Sequence, residues 1–138
     1  MSVAVAHSAT PEGRAALLAA TGWAQTHGTD VLVLHVEGDT AAETARPTAS
    51  EVGVHEVERA VTATLADHGT HPVDWKVVAT PSGGDVASAL LDLVQESGAD
   101  LLVVGSQRRS RVGKLIMGST VQRVLLDSPV PVLVVKAG

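Results

Sequence analysis

The sequence has no cysteine, no phenylalanine and no tyrosine, and Trp23 and Trp75 are its two tryptophans. The absence of cysteine excludes disulfide bonds, thiolate catalysis and cysteine-ligated metal sites. With so few large rings, a nucleic-acid surface that stacks bases on aromatic side chains is not expected. No apolar run approaches the roughly 20 residues that a membrane-spanning helix needs. The lack of aromatic residues and of a long apolar run predicts a chain that binds neither nucleic acid nor membranes.

Acidic residues outnumber basic ones, and the formal net charge of the 138 residues is −5. That balance argues against general binding of polyanions. The first residues lack the basic and apolar regions of a signal peptide, so a cytoplasmic protein is expected. The length matches the commonest size of one domain, and residues 1–138 are predicted to form a single domain.

Apolar runs that are typical of strands alternate along the chain with segments of helical periodicity. Thr10, Pro11 and Glu12 have the pattern of a helix start, and Gly28 has the pattern of a helix end. The predicted strands are 2–6, 31–36, 73–78, 101–104 and 130–135, and the predicted helices begin near residues 11, 48, 85 and 118. Gly105 is expected to stop the fourth strand, and residues 81–84 to form a turn.

This alternation of five strands with helices requires parallel pairing and right-handed crossovers. The predicted fold is α/β: a three-layer, doubly wound, five-stranded parallel sheet with helices on both faces. The residues expected to face the core from the third and fourth helices are Val86, Leu90, Leu93, Val94, Val121, Val124 and Leu125.

A basic, glycine-punctuated segment follows the fourth predicted strand, and residues 105–120 are called the basic loop below. No acidic residue lies between Leu101 and Leu126. The same stretch contains half of the ten lysines and arginines, namely Arg108, Arg109, Arg111, Lys114 and Arg123. Ligands of doubly wound sheets bind beyond the carboxyl ends of the strands. The basic loop is therefore predicted to hold an anion, and the alternative is a solvated loop that is basic by chance.

The end of the basic loop, Gly118-Ser119-Thr120, is also the predicted start of a helix. Free N–H groups and the helix dipole favour an anion there, and the hydroxyls can donate further hydrogen bonds. An ordinary helix cap after a glycine turn is the alternative. The segment around Gly113-Lys114 fails the Walker A pattern, and no G-x-G-x-x-G motif follows the first strand.

Several phrases of the sequence, together with the order of its elements, resemble the universal stress protein family over nearly the whole chain. These phrases are Val3-Ala4-Val5 with Ser8, VLHV at 33–36, DLLVVGS at 100–106, Gly118-Ser119-Thr120 and PVPVLVV at 129–135. The resemblance implies a Rossmann-like fold of the adenine nucleotide alpha hydrolase type.

The nucleotide-binding branch of that family carries the pattern G-x-x-G-x9-G-[S/T]. This chain keeps Gly105, Gly118 and Ser119 in that frame but has Arg108 in place of the second glycine. The resemblance implies ATP as the ligand, with Mg. The nucleotide-binding residues that it implies are Val5, Val36 and Val104 beside the adenine, Ala6 at the end of the first strand near the nucleoside, and Gly105, Arg108, Arg109, Gly118, Ser119 and Thr120 beside the phosphates or ribose.

Two departures from the family pattern bear on this site. Ala6 stands where the binding branch usually has Asp at the end of the first strand. Arg108 either blocks the close backbone approach that a glycine permits or folds back as a charge-assisted clamp on phosphate. Glu37 and Asp39, in the polar segment 37–50, are the nearest candidate magnesium ligands.

The resemblance also implies a regulatory module of the stress response that is not an enzyme, with slow ATP hydrolysis at most. A homodimer paired through the last strand, 130–136, is implied as well, together with a protein partner that the sequence does not identify. The alternative is a universal stress protein that binds no nucleotide and acts as a homodimeric protein-interaction module. A small flavodoxin-like or hydrolase-type enzyme is a third candidate, although no G-x-S-x-G motif is present.

Histidines offer little metal chemistry in this sequence. His68 and His71 flank a turn without a carboxylate cluster, so no metal site is expected there. His35 is predicted to be a hydrogen-bonded core residue of the second strand. His7, at the end of the first strand, is expected either beside a ligand or on the surface.

Overall fold

Strands and helices alternate along the whole described chain. The computed structural model describes residues 1–37, 51–67, 73–106 and 118–136. The elements are β1 (Ser2–Ala6), α1 (Pro11–His27), β2 (Asp30–Glu37), α2 (Glu51–Asp67), β3 (Trp75–Pro81), α3 (Val86–Ser97), β4 (Leu101–Ser106), α4 (Ser119–Asp127) and β5 (Val132–Lys136). Within these ranges, no helix combines the length and the apolar character that crossing a membrane would need.

The five strands form one parallel sheet in the order β3-β2-β1-β4-β5. The chain first adds strands on one side of β1 and then crosses to the other side, so the strand order reverses between β1 and β4. The predicted doubly wound fold class is confirmed.

Side chains that alternate along each strand divide the core between the two faces of the sheet. Val3, Val5 and Val103 pack on one face with buried residues of α1 and α2. Ala4 and Leu102 pack on the other face with buried residues of α3 and α4. Central strands that are apolar at every position therefore follow from burial on both faces.

Helix ends agree with the sequence signals. The hydroxyl of Thr10 accepts a hydrogen bond from the Gly13 N–H at 3.0 Å, and Pro11 is the first residue of α1. Gly28 and Gly98 end α1 and α3 in the left-handed region, with φ of 65° and 69°. Glycine reaches that conformation without the steric cost that a Cβ imposes.

Several predicted strand boundaries are wrong. β4 continues through Gly105, which pairs with Val135, and ends at Ser106. β3 runs to Pro81, which pairs with Glu37, so the turn begins one residue later than predicted. Pro81 is tolerated because β3 is an edge strand. β5 begins two residues later than expected, at Val132.

Two apolar helix residues that were expected in the core are exposed. Leu125 is 38% exposed because Val124 takes the buried position of that turn of α4. Val86 is 42% exposed because Ala87 takes the buried position at the start of α3. Adjacent residues of a helix point about 100° apart, so one buried position in a short helix leaves its neighbour outside.

Candidate functional site

The crevice between the carboxyl ends of β1 and β4 is the point where doubly wound sheets bind ligands, because the strand order reverses there. β1 ends at Ala6, and the next N–H, of His7, donates to the Leu34 carbonyl at 2.9 Å. Since β5 runs parallel to β4, the connecting helix α4 must run back across the sheet and so begins near the carboxyl ends of the strands. Ala6, the end of β4 and Gly118 therefore share one edge.

Three of the predicted nucleotide contacts belong to the hydrophobic cluster on the α3 and α4 face of the sheet, and these three residues are called the apolar slot below. Ala6 and Val36 are half-buried and pack with the buried Val104 on that face. Val5 is different: it is 1% exposed and belongs to the core on the opposite face, against α1 and α2. The expectation that Val5 lines one slot with Val36 and Val104 is therefore wrong, because neighbouring strand residues point to opposite faces.

Gly105 lies against the first turn of α1. A Cβ built on Gly105 would overlap the carbonyl oxygen of Glu12. A Cβ on Gly13 would likewise overlap the carbonyl and hydroxyl oxygens of Ser8. Gly105 was expected to turn the chain and let a phosphate approach, yet the contact that requires a glycine here is with a helix. Gly105 therefore allows α1 to lie close to the end of β4, and Gly13 allows the segment at Ser8 to lie close to α1.

Within the described residues, no side chain caps the first turn of α4. Gly118 is the N-cap residue in an extended conformation, and no side-chain hydrogen bond caps this helix. The Gly118 carbonyl accepts from the Gln122 N–H at 3.1 Å. The N–H groups of the following first-turn residues have no partner within the helix, as at any helix start. Such N–H groups, with the positive end of the helix dipole, suit an anion.

Arg123 is the one member of the predicted cationic patch that falls within the described residues. Arg108, Arg109, Arg111 and Lys114 lie outside the described residues. The guanidinium of Arg123 forms an ion pair with Asp85 across 2.5 Å and a weaker one with Asp127 at 3.7 Å. The hydrogen bond from Arg123 lowers the pKa of Asp85 to about 2, with help from the backbone N–H of Ser88. Arg123 is thus neutralised by its neighbours on α3 and α4.

Two histidines meet at the same edge, on the α1 and α2 side of the sheet. The ring centroids of His7 and His35 lie 5.6 Å apart with the ring planes at 72°. Among the described residues, the buried Nδ1 of His7 has no hydrogen-bond partner. Burial, and then the neighbouring His35, lowers the pKa of His7.

The second ring of this pair is half-buried rather than a fully buried core residue. Burial lowers the pKa of His35 as well, although the carboxylates of Glu37 and Glu56 oppose that shift. Sequence reasoning placed both histidines on strands but did not pair them. The strand pairing would have revealed this contact. Ala6 of β1 pairs with Leu34 of β2, so the residues that follow them, His7 and His35, are neighbours.

In the described part of the chain, no group of three or more His, Asp or Glu side chains could hold a metal ion. Glu37 ends β2 at the carboxyl edge, whereas Asp39, His68 and His71 lie outside the described ranges.

Two sequence comparisons assign the family. The sequence model of the Universal stress protein family matches residues 1–136. A universal stress protein of Mycolicibacterium smegmatis is 39% identical over 134 residues, which cover 97% of this chain and 96% of that protein.

Solved structures agree on the fold. A universal stress protein from Archaeoglobus fulgidus superposes with a TM-score of 0.75 at 22% identity, covering 99% of this chain and 98% of that one. A structure of the Archaeoglobus fulgidus protein in complex with dAMP superposes with a TM-score of 0.69 at 18% identity and the same coverage. The family match over nearly the whole chain and the close curated relative together show that this chain belongs to the universal stress protein family.

Proposed function

We propose that this chain is an adenine-nucleotide-binding regulatory module of the stress response, with ATP as its ligand. The observation that carries the proposal is the uncapped first turn of α4 at the same sheet edge as the apolar slot of Ala6, Val36 and Val104. The dAMP complex of a protein with this fold supports the class of ligand. Family membership supports the role in stress response.

Each part of the site has a chemical task in this proposal. The apolar slot takes the flat face of the adenine, and the N–H groups of Ser119 and Thr120 bind phosphate oxygens at the helix start. Arg108 and Arg109 of the basic loop add charge-assisted hydrogen bonds to the phosphates. Mg would accompany ATP through the phosphates themselves, as it commonly does in nucleotide sites. Gly105 contributes by keeping α1 close to β4.

The proposed module works by occupancy rather than by catalysis, in the cytoplasm. Nucleotide binding alters the surface around the basic loop and so changes the affinity for a protein partner. A homodimer through β5 completes the proposal, because β5 is an edge strand with exposed backbone groups that proteins tend to cover.

Thermal unfolding with Mg-ATP, AMP and inorganic phosphate tests the proposal. A ligand that binds only the folded state stabilises it by about 2.7 kcal/mol at a concentration of 100 Kd. We expect a rising melting temperature with ATP and AMP, and a smaller rise with phosphate. A melting temperature unchanged by every adenine nucleotide would refute nucleotide binding.

A second candidate function is a homodimeric protein-interaction module that binds no nucleotide. The exposed apolar side chains of α4 and β5 favour it: Leu126 is 84% exposed, and Leu125 and Leu133 are exposed as well. The departures at Ala6 and Arg108 also fit this candidate. Unchanged melting with nucleotides, together with a stable dimer in sedimentation, would favour it over the first.

A further inference from the structure

Helix α4 has few apolar anchors for an element that begins at the proposed phosphate site. Val124 is its fully buried residue, Val121 is half-buried, and Leu125 and Leu126 are exposed. Among the described elements, α3 is its main packing partner. The position of its first turn therefore depends on the contact between α3 and α4 more than on the sheet beneath.

A charged contact joins the amino end of α3 to the middle of α4. One guanidinium nitrogen of Arg123 donates to Asp85 Oδ2 at 2.5 Å, and another donates to Ser88 Oγ at 2.7 Å. Asp127, one turn further along α4, lies 3.7 Å from the Arg123 Nε. The planar guanidinium thus holds two groups of α3 and one of its own helix in a fixed geometry.

Asp85 is itself held in place. Its Oδ1 accepts from the Ser88 N–H at 3.1 Å as the N-cap of α3. Its backbone N–H donates to the carbonyl of the buried Ser82 at 3.1 Å. Hydrogen bonds therefore run without interruption from the end of β3 through Asp85 to Arg123.

We infer that Asp85 and Arg123 form a strut that positions the first turn of α4 for the phosphate of a bound nucleotide. The inference rests on the proposed function, and it names positioning residues rather than ligands. Arg123 lies one turn after Ser119 on α4, so restraining its guanidinium restrains the orientation of the helix start.

A rival role for Arg123 makes the opposite prediction. If Arg123 leaves Asp85 to bind phosphate directly, Asp85→Asn frees the cation and strengthens nucleotide binding. If the pair is a strut, Asp85→Asn weakens binding although it makes the site less negative. Asn keeps the N-cap of α3, so this variant removes the ion pair and spares the helix.

The experiment measures the dissociation constants of AMP and of adenosine for Asp85→Asn, Arg123→Gln and the double variant. For AMP we expect about three- to tenfold weaker binding in each single variant, and a double variant no weaker than the singles, as for coupled residues. Adenosine binding should not change, because it lacks the phosphate. Asp92→Asn, at an exposed position of α3, is the matched control for the lost carboxylate and should leave AMP binding unchanged.

A second readout is independent of any ligand. Amide hydrogen exchange of Val124, Leu125 and Leu126 should be about tenfold faster in Arg123→Gln than in the wild type, with α1 unaffected. Global stability should hardly change, since exposed ion pairs contribute little to it.

The possible results separate the strut from the proposed function. Stronger AMP binding by Asp85→Asn, equal losses for AMP and adenosine, or unchanged exchange in α4 would each overturn the strut. If the wild type binds no AMP, the proposed function fails, and the exchange measurement alone decides whether the strut exists.

Discussion

The imidazole of His7 meets the imidazole of His35 edge to face, with centroids 5.6 Å apart, where β1 and β2 end. The pKa of each ring is lowered, chiefly by burial. An imidazole with a lowered pKa in the folded state binds its proton more readily in the unfolded state. The contribution of these neutral rings to the free energy of unfolding is therefore fully present above the ordinary pKa of 6.5. It is lost as the pH drops through and below that value.

The pH dependence of stability tests this relationship. Urea unfolding at about pH 7.5 and about pH 5.5 should show a loss of unfolding free energy in the wild type on acidification. His7→Asn should lose less, because one of the two titrating rings is gone. Equal acid losses in His7→Asn and the wild type would contradict the assignment.

Gly105→Ala should destabilise the free protein by about 1–3 kcal/mol, because the new Cβ overlaps the Glu12 carbonyl and forces α1 and β4 apart. Gly22→Ala is the matched control. Gly22 lies on an exposed position of α1 with nothing within 4 Å of a built Cβ. That substitution should stabilise by about 0.5–1 kcal/mol through helix propensity. Denaturant unfolding without nucleotide measures both, and equal effects at the two sites would disprove the packing role.

Ala6→Asp should improve nucleotide binding, because it restores an acceptor at the end of β1 beside the apolar slot. We expect a gain in AMP affinity of about threefold to tenfold, the net range of one ordinary hydrogen bond. Arg108→Gly should weaken binding, because the proposed phosphate contact is lost; a gain would show that the arginine instead blocks the backbone approach. Isothermal titration of both variants decides this point. Ala9→Asp, in the exposed segment after β1, controls for added charge, and an equal gain there would argue against a specific role for position 6.

The proposed dimer through β5 is best tested at an exposed position of that strand. Val134 packs on the core, so a charge there would damage the monomer as well. Leu133 is exposed, and Leu133→Lys should shift the protein to monomer in sedimentation without a large loss of stability. Leu126→Lys on α4 is the comparison. If the Leu133→Lys variant stays dimeric and the Leu126→Lys variant becomes monomeric, the dimer interface lies on α4 and not on β5.

The fold could be predicted from the sequence because local patterns and the global topology agree. Uninterrupted apolar runs such as Val31 to Leu34 identified central strands, and Thr10 with Gly28 marked both ends of α1. The errors lie where tertiary contacts override local signals. Gly105 looks like a strand end in sequence, yet it continues β4 by pairing with Val135, and its missing Cβ leaves room for α1.

The site was less predictable, for physical reasons that particular residues illustrate. The sequence brings Arg123 into a cationic stretch, but only the packing of α4 on α3 reveals Asp85 beside it. The alternation of strand faces separates Val5 from Val36 and Val104, which a list of strand-end residues does not convey. Arg108 and Arg109 lie outside the described residues, so their expected phosphate contacts stay predictions.

The contact between Gly105 and the Glu12 carbonyl also affects what a glycine at this position indicates about nucleotide binding in other members of the family. Any relative that keeps this short distance between α1 and β4 needs a glycine at the position of Gly105, whether or not it binds a nucleotide. Selection for packing alone would preserve that residue. The presence of this glycine is therefore weak support for a working site, and the residues that face the ligand without a packing duty are the better markers of binding.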